Sequence, residues 1–265
     1  MYSLVKLASK YLRYFFTASN GKGHGVHSPF VFDFIQNVLN DKRQFYAYTS
    51  VEDIRKQLIT NETMLTIQDF GAGSALVKGD QRKVSSIARA SLKPAKYGQL
   101  LFRIVNYYHS KNIVELGTSL GVTTAYLASA NTQSLVVSLE GAQEVAALAQ
   151  KNFTALQLTN IKLVQGNFDD TLPTVLGQLP GVDLAFLDGN HRREPTERYF
   201  EQLLQKANEQ SIFIFDDIHW SAEMEAAWKT ICEHPSVTLT IDLFFIGIVF
   251  FRKEQKHVQH FAVRF

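Results

Sequence analysis

Apolar residues at the start of the chain recur at helical spacing. Leu4, Leu7, Ala8, Tyr11, Leu12 and Phe15 mark a helix, with Lys6, Lys10 and Arg13 opposite or flanking them. A basic amphipathic helix of this kind packs on its own domain, or lies against a membrane or a partner. The glycine-rich run 20–25 breaks structure, and His27-Ser28-Pro29 reads as a helix start. Phe30, Val31, Phe34, Ile35 and Val38 follow it, and the pattern predicts further helix over 51–58.

From about residue 95 the period changes. A helix over 97–108 precedes short apolar runs at 113–116, 135–139, 161–164, 184–187 and 212–215. Helical segments follow these runs, at 123–129, 143–156, 172–179, 195–207 and 222–232. Strands alternating with helices predict βαβ units and a doubly wound, mostly parallel sheet. Two last apolar runs, 237–241 and 244–251, have almost nothing between them, which forces them antiparallel. The expectation is an α/β fold of seven strands ending in a hairpin, over residues 95–265. Residues 1–94 form a helical extension that caps it.

Composition narrows the class. The single cysteine excludes a disulfide framework and a cysteine-based zinc cluster. The start of the chain has no signal-peptide pattern and no run is long enough to cross a bilayer, so a cytoplasmic location is expected. The net charge of +2 conceals an asymmetry, with sixteen Lys/Arg against seven Asp/Glu in residues 1–114 and eleven against eighteen in 115–265. No acid falls between Gln81 and Val114, while Arg82, Lys83, Arg89, Lys93, Lys96, Arg103 and Lys111 do. That stretch invites an acidic acceptor or an anionic surface. Equally, Val84, Ile87, Ala88 and Leu92 form one helical face whose solvated side the cations would be.

The candidate chemistry sits at strand ends, where ligands bind in such sheets. Val114-Glu115-Leu116-Gly117-Thr118-Ser119-Leu120-Gly121 closes the first of them. It lacks the G-x-G-x-x-G of a dinucleotide site. It does match G-x-S-x-G, but a nucleophile elbow needs several strands before it, and here the first clear strand precedes it. Glu140 ends the next strand, where an acid accepts hydrogen bonds from a ribose diol. A second glycine run, 69–74, imitates the first without a following acid-ended strand, and reads as a connection or a lid near the substrate. Asp188, Asp216 and Asp217 fall at the ends of neighbouring strands. Converging carboxylates need pairing, protonation or a cation, and hard oxygen ligands suit Mg²⁺ or Ca²⁺.

Together these residues resemble the class I S-adenosylmethionine-dependent methyltransferases, and within them the catechol O-methyltransferase-like branch, over roughly residues 95–265. The carriers are Glu115 to Gly121, Ser138-Leu139-Glu140-Gly141, Gly166-Asn167-Phe168, Asp183 to His191 and Phe215-Asp216-Asp217-Ile218-His219-Trp220. The resemblance implies a Rossmann-like sheet and S-adenosylmethionine as cofactor. It implies that Glu115, Gly117, Thr118, Ser119 and Gly121 line the methionine part and that Glu140 binds the ribose. Gly141, Asn167 and Phe168 then border the adenine, and Asp188 sits beside cofactor, acceptor and metal. A metal held by Asp188, Asp216 and Asp217 is the further implication, with the branch's usual amide replaced by Asp217. The lysine common after the first metal acid gives way to His191, Arg192 and Arg193, so His191 or His219 is the candidate general base.

The expected activity is methyl transfer to a small-molecule acceptor, through oxygen. A nucleic-acid methyltransferase is the alternative, but the chain has no Pro-Pro motif, Cys232 lies in a helix, and aromatic-basic interleaving is missing. A non-catalytic binding module is the other, disfavoured by the intact loop and acid set. Peripheral membrane contact by the first helix and a homodimer are options that the amphipathic helix and hairpin edge leave open.

Overall fold

The computed structural model describes residues 1–67, 80–254 and 257–265, apart from the Asp80 side chain. The glycine run 69–74 therefore lies outside the described residues. The chain divides into two compact units, Met1–Asp41 with Pro180–Phe265, and Lys42–Leu179.

The first unit opens with α1 (Leu4–Thr17), whose N-cap Ser3 accepts the Lys6 amide. In α2 (Pro29–Phe34), Ser28 caps the helix and Pro29 takes the first turn, as the sequence predicts. A π-helical turn (Ile35–Leu39) continues it and buries Ile35, Val38 and Leu39.

The second unit begins with α3 (Tyr46–Thr60) and a small antiparallel pair, β1 (Met64–Ile67) and β2 (Asp80–Lys83). Next come α4 (Val84–Ser91) and α5 (Ala95–Tyr108). Then β3 (Asn112–Leu116), α6 (Val122–Ala130), β4 (Leu135–Glu140), α7 (Gln143–Ala155), β5 (Ile161–Gln165) and α8 (Phe168–Gln178) alternate. β3, β4 and β5 pair in parallel. Val51, Ile54 and Leu58 of α3 and Val84 and Ala88 of α4 join Phe102, Val122 and Tyr126 in one apolar core. The face predicted for α4 is thus a packing face, and Arg82, Lys83 and Arg89 lie exposed outside it.

The chain then supplies β6 (Leu184–Leu187), α9 (Arg193–Leu204), β7 (Ile212–Asp216), α10 (Ala222–Cys232), β8 (Leu239–Asp242), β9 (Ile246–Phe250) and β10 (Gln259–Ala262). β6 and β7 are parallel, β9 runs antiparallel to β7 and β8, and β10 adds parallel to β8. The predicted hairpin is β8–β9. With β10 the two units supply eight strands to the fold, one more than the alternation predicts, because β10 is a short, half-buried edge strand. The front 94 residues do not travel together. Residues 1–41 pack with the first unit and 42–94 with the second. Ser19 bridges Val263, and Tyr14 donates to the Val263 carbonyl.

Candidate active site

In the second unit, β3 stops where the chain must turn sharply. Gly117 and Gly121 take φ of 101° and 82°, and Ser119, between them, takes 47°. At Gly121 a Cβ would also lie 2.5 Å from the Phe153 ring, so helix α7 closes over the loop at a position only glycine fits. The Gly117 and Thr118 amides both donate to the Leu139 carbonyl, at 3.0 and 3.2 Å, which ties the loop to β4.

Below the loop lies a chain of hydroxyls on an acid. Thr118 Oγ1 meets Ser138 Oγ at 2.5 Å, and Ser138 and Thr124 each donate to Glu115 Oε2 at 2.5 Å. Glu115 is fully buried and its Oε1 has no hydrogen-bond partner. Burial pushes its carboxyl up to about 7, against the opposing bonds from Ser138 and Thr124 and with a smaller contribution from Glu140. The methionine-lining role implied for Glu115 therefore starts from a residue beneath the loop surface. Thr118 is buried too, whereas Gly117 and Ser119 are half-exposed.

Glu140 ends β4 with its carboxylate held by two amides, Ser119 N to Oε2 at 2.8 Å and Ala142 N to Oε1 at 2.9 Å. Gly141 makes the turn between Glu140 and Ala142. Asn167 caps α8 by accepting the Asp169 amide, and Phe168 is the half-buried first residue of that helix. Loop, acid and cap thus stand at the carboxyl ends of β3, β4 and β5.

In the first unit, Asp188 follows β6 and Asp216 ends β7. With His191 they form a group whose ligand atoms all lie within 4.8 Å of one another. Asp216 is buried and Asp188 and His191 are half-buried. His191 Nε2 stands 3.7 Å from Asp188 Oδ1. Asp217 is not a member of this group. Its backbone turns to φ 53° and its carbonyl accepts the Trp220 amide. His191, proposed from sequence as a base, takes its place beside the two carboxylates.

His219 is engaged at both ring nitrogens. Nδ1 faces Glu225 Oε1 at 3.1 Å and Nε2 faces Asp242 Oδ2 at 2.8 Å. Burial alone would lower its pKa, but the bonds to Asp242 and Glu225 outweigh it and hold the imidazole above its ordinary value. Glu225 also takes Lys10 Nζ and the Tyr2 hydroxyl, each at 2.8 Å, and these bonds outweigh its own burial to lower its pKa. Sequence reasoning missed Glu225 and Asp242, which lie 6 and 23 residues from His219. It named Ser138 only as part of a motif and gave it no bond to Glu115 or Thr118, although alternation along β4 puts Ser138 on the face of Glu140. Burial pushes the half-buried Cys232 thiol up to about 12, which makes it no nucleophile.

Residues 114–218 match the family model described as a methyltransferase domain. A catechol O-methyltransferase from Niastella koreensis is 29% identical over 124 residues, which cover 46% of this chain and 55% of that protein. The chain thus spans about half the length of this curated relative. Solved structures share the fold. The SAH-bound Podospora anserina methyltransferase PaMTH1 has a TM-score of 0.60 at 12% identity, covering 85% of this chain and 97% of that one. An O-methyltransferase from Bacillus cereus in complex with SAH has a TM-score of 0.54 at 18% identity, covering 80% and 93%. The Streptomyces achromogenes O-methyltransferase TomG, in complex with SAM, has a TM-score of 0.56 at 14% identity, covering 79% and 91%. The fold is that of the Rossmann-like methyltransferases. The resemblance read from the sequence is borne out as a similarity: residues 114–218 match the methyltransferase-domain model, and a curated relative is a catechol O-methyltransferase.

Proposed function

We propose that the chain transfers a methyl group from S-adenosylmethionine to an oxygen of a small-molecule acceptor. The observation that carries this is Glu140, an acid at a strand end whose carboxylate two backbone amides already orient beside a glycine loop. A carboxylate so placed suits the two hydroxyls of a ribose. Gly117, Ser119 and Gly121 give the methionine part its backbone cradle, Glu115 and Thr118 support that cradle from below, and Gly141, Asn167 and Phe168 border the adenine. The bound cofactor supplies a methyl group on a sulfonium.

The reaction forms an oxygen–carbon bond as the sulfur–carbon bond breaks, leaving a neutral thioether, and the acceptor's hydroxyl proton must go elsewhere. His191 is the group assigned to take it, since imidazole suits proton transfer at neutral pH. Two carboxylates and an imidazole so close together also fit a divalent cation such as Mg²⁺. Asp188 and Asp216 would hold it, and it would supply a Lewis acid that makes an acceptor hydroxyl easier to ionise. His219 has both nitrogens committed, so its role is to fix the segment after β7. Residues 1–94 are assigned to acceptor selection, and the exposed cations Arg82, Lys83 and Arg89 favour an acidic acceptor.

Among the described residues no helix is long and apolar enough to cross a membrane. A cytoplasmic site of action is the reading that goes with an S-adenosylmethionine-dependent enzyme. The test is mass-spectrometric detection of a methylated catechol-like acceptor made by the full chain, with and without Mg²⁺, beside calorimetric titration with S-adenosylmethionine. Cofactor binding at micromolar affinity with methyl transfer supports the assignment. Failure to bind the cofactor under either condition removes it.

A further inference from the structure

Helix α1 has two apolar faces, and the fold uses one. Leu7, Tyr11 and Tyr14 pack with Phe244 and Phe245. Tyr2 and Lys10 fasten the same side by bonding Glu225, and the Tyr2 amide donates to the Trp220 carbonyl. Leu4, Val5, Ala8, Leu12, Phe15 and Phe16 lie on another side. At 3.6 residues per turn they make one unbroken stripe roughly 120° wide along the whole helix. It is open to solvent: Leu4 is 83%, Val5 81% and Phe16 80% exposed. An apolar patch of this continuity on a surface helix marks a docking face.

Charge selects the occupant. The first acid in the sequence is Asp33, so α1 itself carries cations only, and Glu225 meets it on the packed side through Tyr2 and Lys10, away from the stripe. Exposed Lys6 and Arg13 lie along one flank of the stripe, and the Arg264 guanidinium stands over the Phe15 ring on the other, 5.1 Å from its centroid. Long cationic side chains reach headgroups while their stems lie along an apolar surface. Apolar and aromatic residues on one side, with lysine and arginine at the borders, are what an interfacial membrane helix requires. A second copy of the chain would bring the same cations to the same face, where they repel.

We infer that the exposed stripe of α1, flanked by Lys6, Arg13 and Arg264, docks the protein on an anionic lipid surface. The helix is fastened through Glu225 to the segment carrying His219, so docking holds the first unit's acid group at the bilayer surface. This goes beyond the methyl-transfer assignment and stands whether or not that assignment holds.

The experiment is co-sedimentation of the full chain with vesicles of phosphatidylcholine alone, and of phosphatidylcholine with about a third phosphatidylserine, at low and high salt. The expected result is partition onto the anionic vesicles that falls with salt. Each cation at such a surface is worth about five-fold, so Lys6→Glu with Arg13→Glu should cut the partition by at least roughly twenty-five-fold. Val5→Ser with Phe16→Ser should abolish it, while circular dichroism and thermal melting stay unchanged because both side chains are exposed. Equal partition onto neutral vesicles, no partition onto either, or unaltered partition of the serine variant overturns the inference. So does a dimer in sedimentation equilibrium that the serine substitutions dissolve, which assigns the stripe to a second copy.

Discussion

Glu140 receives the Ser119 amide at 2.8 Å, so the acid that ends β4 is fixed by the loop that ends β3. A carboxylate oriented before its ligand arrives pays little ordering cost on binding. Replacing it with alanine removes the proposed ribose acceptor and releases the loop amide. For Glu140→Ala, calorimetry should show S-adenosylmethionine affinity weakened by roughly 30- to 100-fold, as expected for a lost charge-assisted hydrogen-bond pair. Glu140→Gln, which keeps one acceptor for Ser119, should fall between. Wild-type affinity in the alanine variant would refute the ribose assignment.

The carboxylates of the first unit make a separate prediction. Asp188→Asn and Asp216→Asn should each lose the Mg²⁺ response of turnover, and chelation should reproduce the loss in the wild type. Asp217→Asn should keep that response, because Asp217 stands outside the group formed by Asp188, His191 and Asp216. Activity indifferent to chelation and added Mg²⁺ would leave the three side chains as an acid–base group without a cation.

The two histidines should separate by experiment. Both nitrogens of His219 are bonded to carboxylates, so His219→Ala leaves Glu225 and Asp242 facing each other. It should lower stability by about 1–3 kcal/mol in urea unfolding, and turnover per folded molecule should change little. His191→Ala should do the reverse, lowering kcat at least roughly 100-fold with stability nearly unchanged. Equal kinetic losses would mean that the proton passes by another route.

Glu115 gives a pH signature. Its folded-state carboxyl titrates at about 7 against an ordinary 4.5. Between those values the folded chain keeps a proton that the unfolded chain has lost, so stability falls as pH rises through that window. The full difference is about 3 kcal/mol above it. Glu115→Gln cannot titrate, and its urea midpoint should gain on the wild type between pH 5 and pH 8. A gap that does not widen would show that the buried acid is already ionised.

Much of this was legible in the residues. Short apolar runs alternating with helical periods fix β3 to β7 and their helices, because buried parallel strands leave an uninterrupted apolar signature. Strand ends announce Glu140, Asp188 and Asp216, since an acid closing an apolar run has few structural uses. β10 was not legible. Gln259-His260-Phe261-Ala262 is short and half-buried, and only pairing with β8 makes it a strand. Nor was the place of His191 beside the two carboxylates, because no residue pattern marks the left-handed turn that Asp217 takes after β7. Glu225 and Asp242 escaped for another reason: bonds across 6 and 23 residues leave no period to read.

Ser19 bridges Val263, and the Arg264 amide donates to the Ser19 carbonyl at 3.0 Å. Segments made far apart in the order of synthesis thus rest on each other. At ordinary rates of synthesis, on the order of tens of seconds separate the two. Throughout that interval Tyr14, Val31 and Phe34 lack the late strands of their own unit, while residues 42–179 have already been made. The segment around Ser19 therefore waits for the one around Val263, a stage at which a chaperone or a bilayer would find it open.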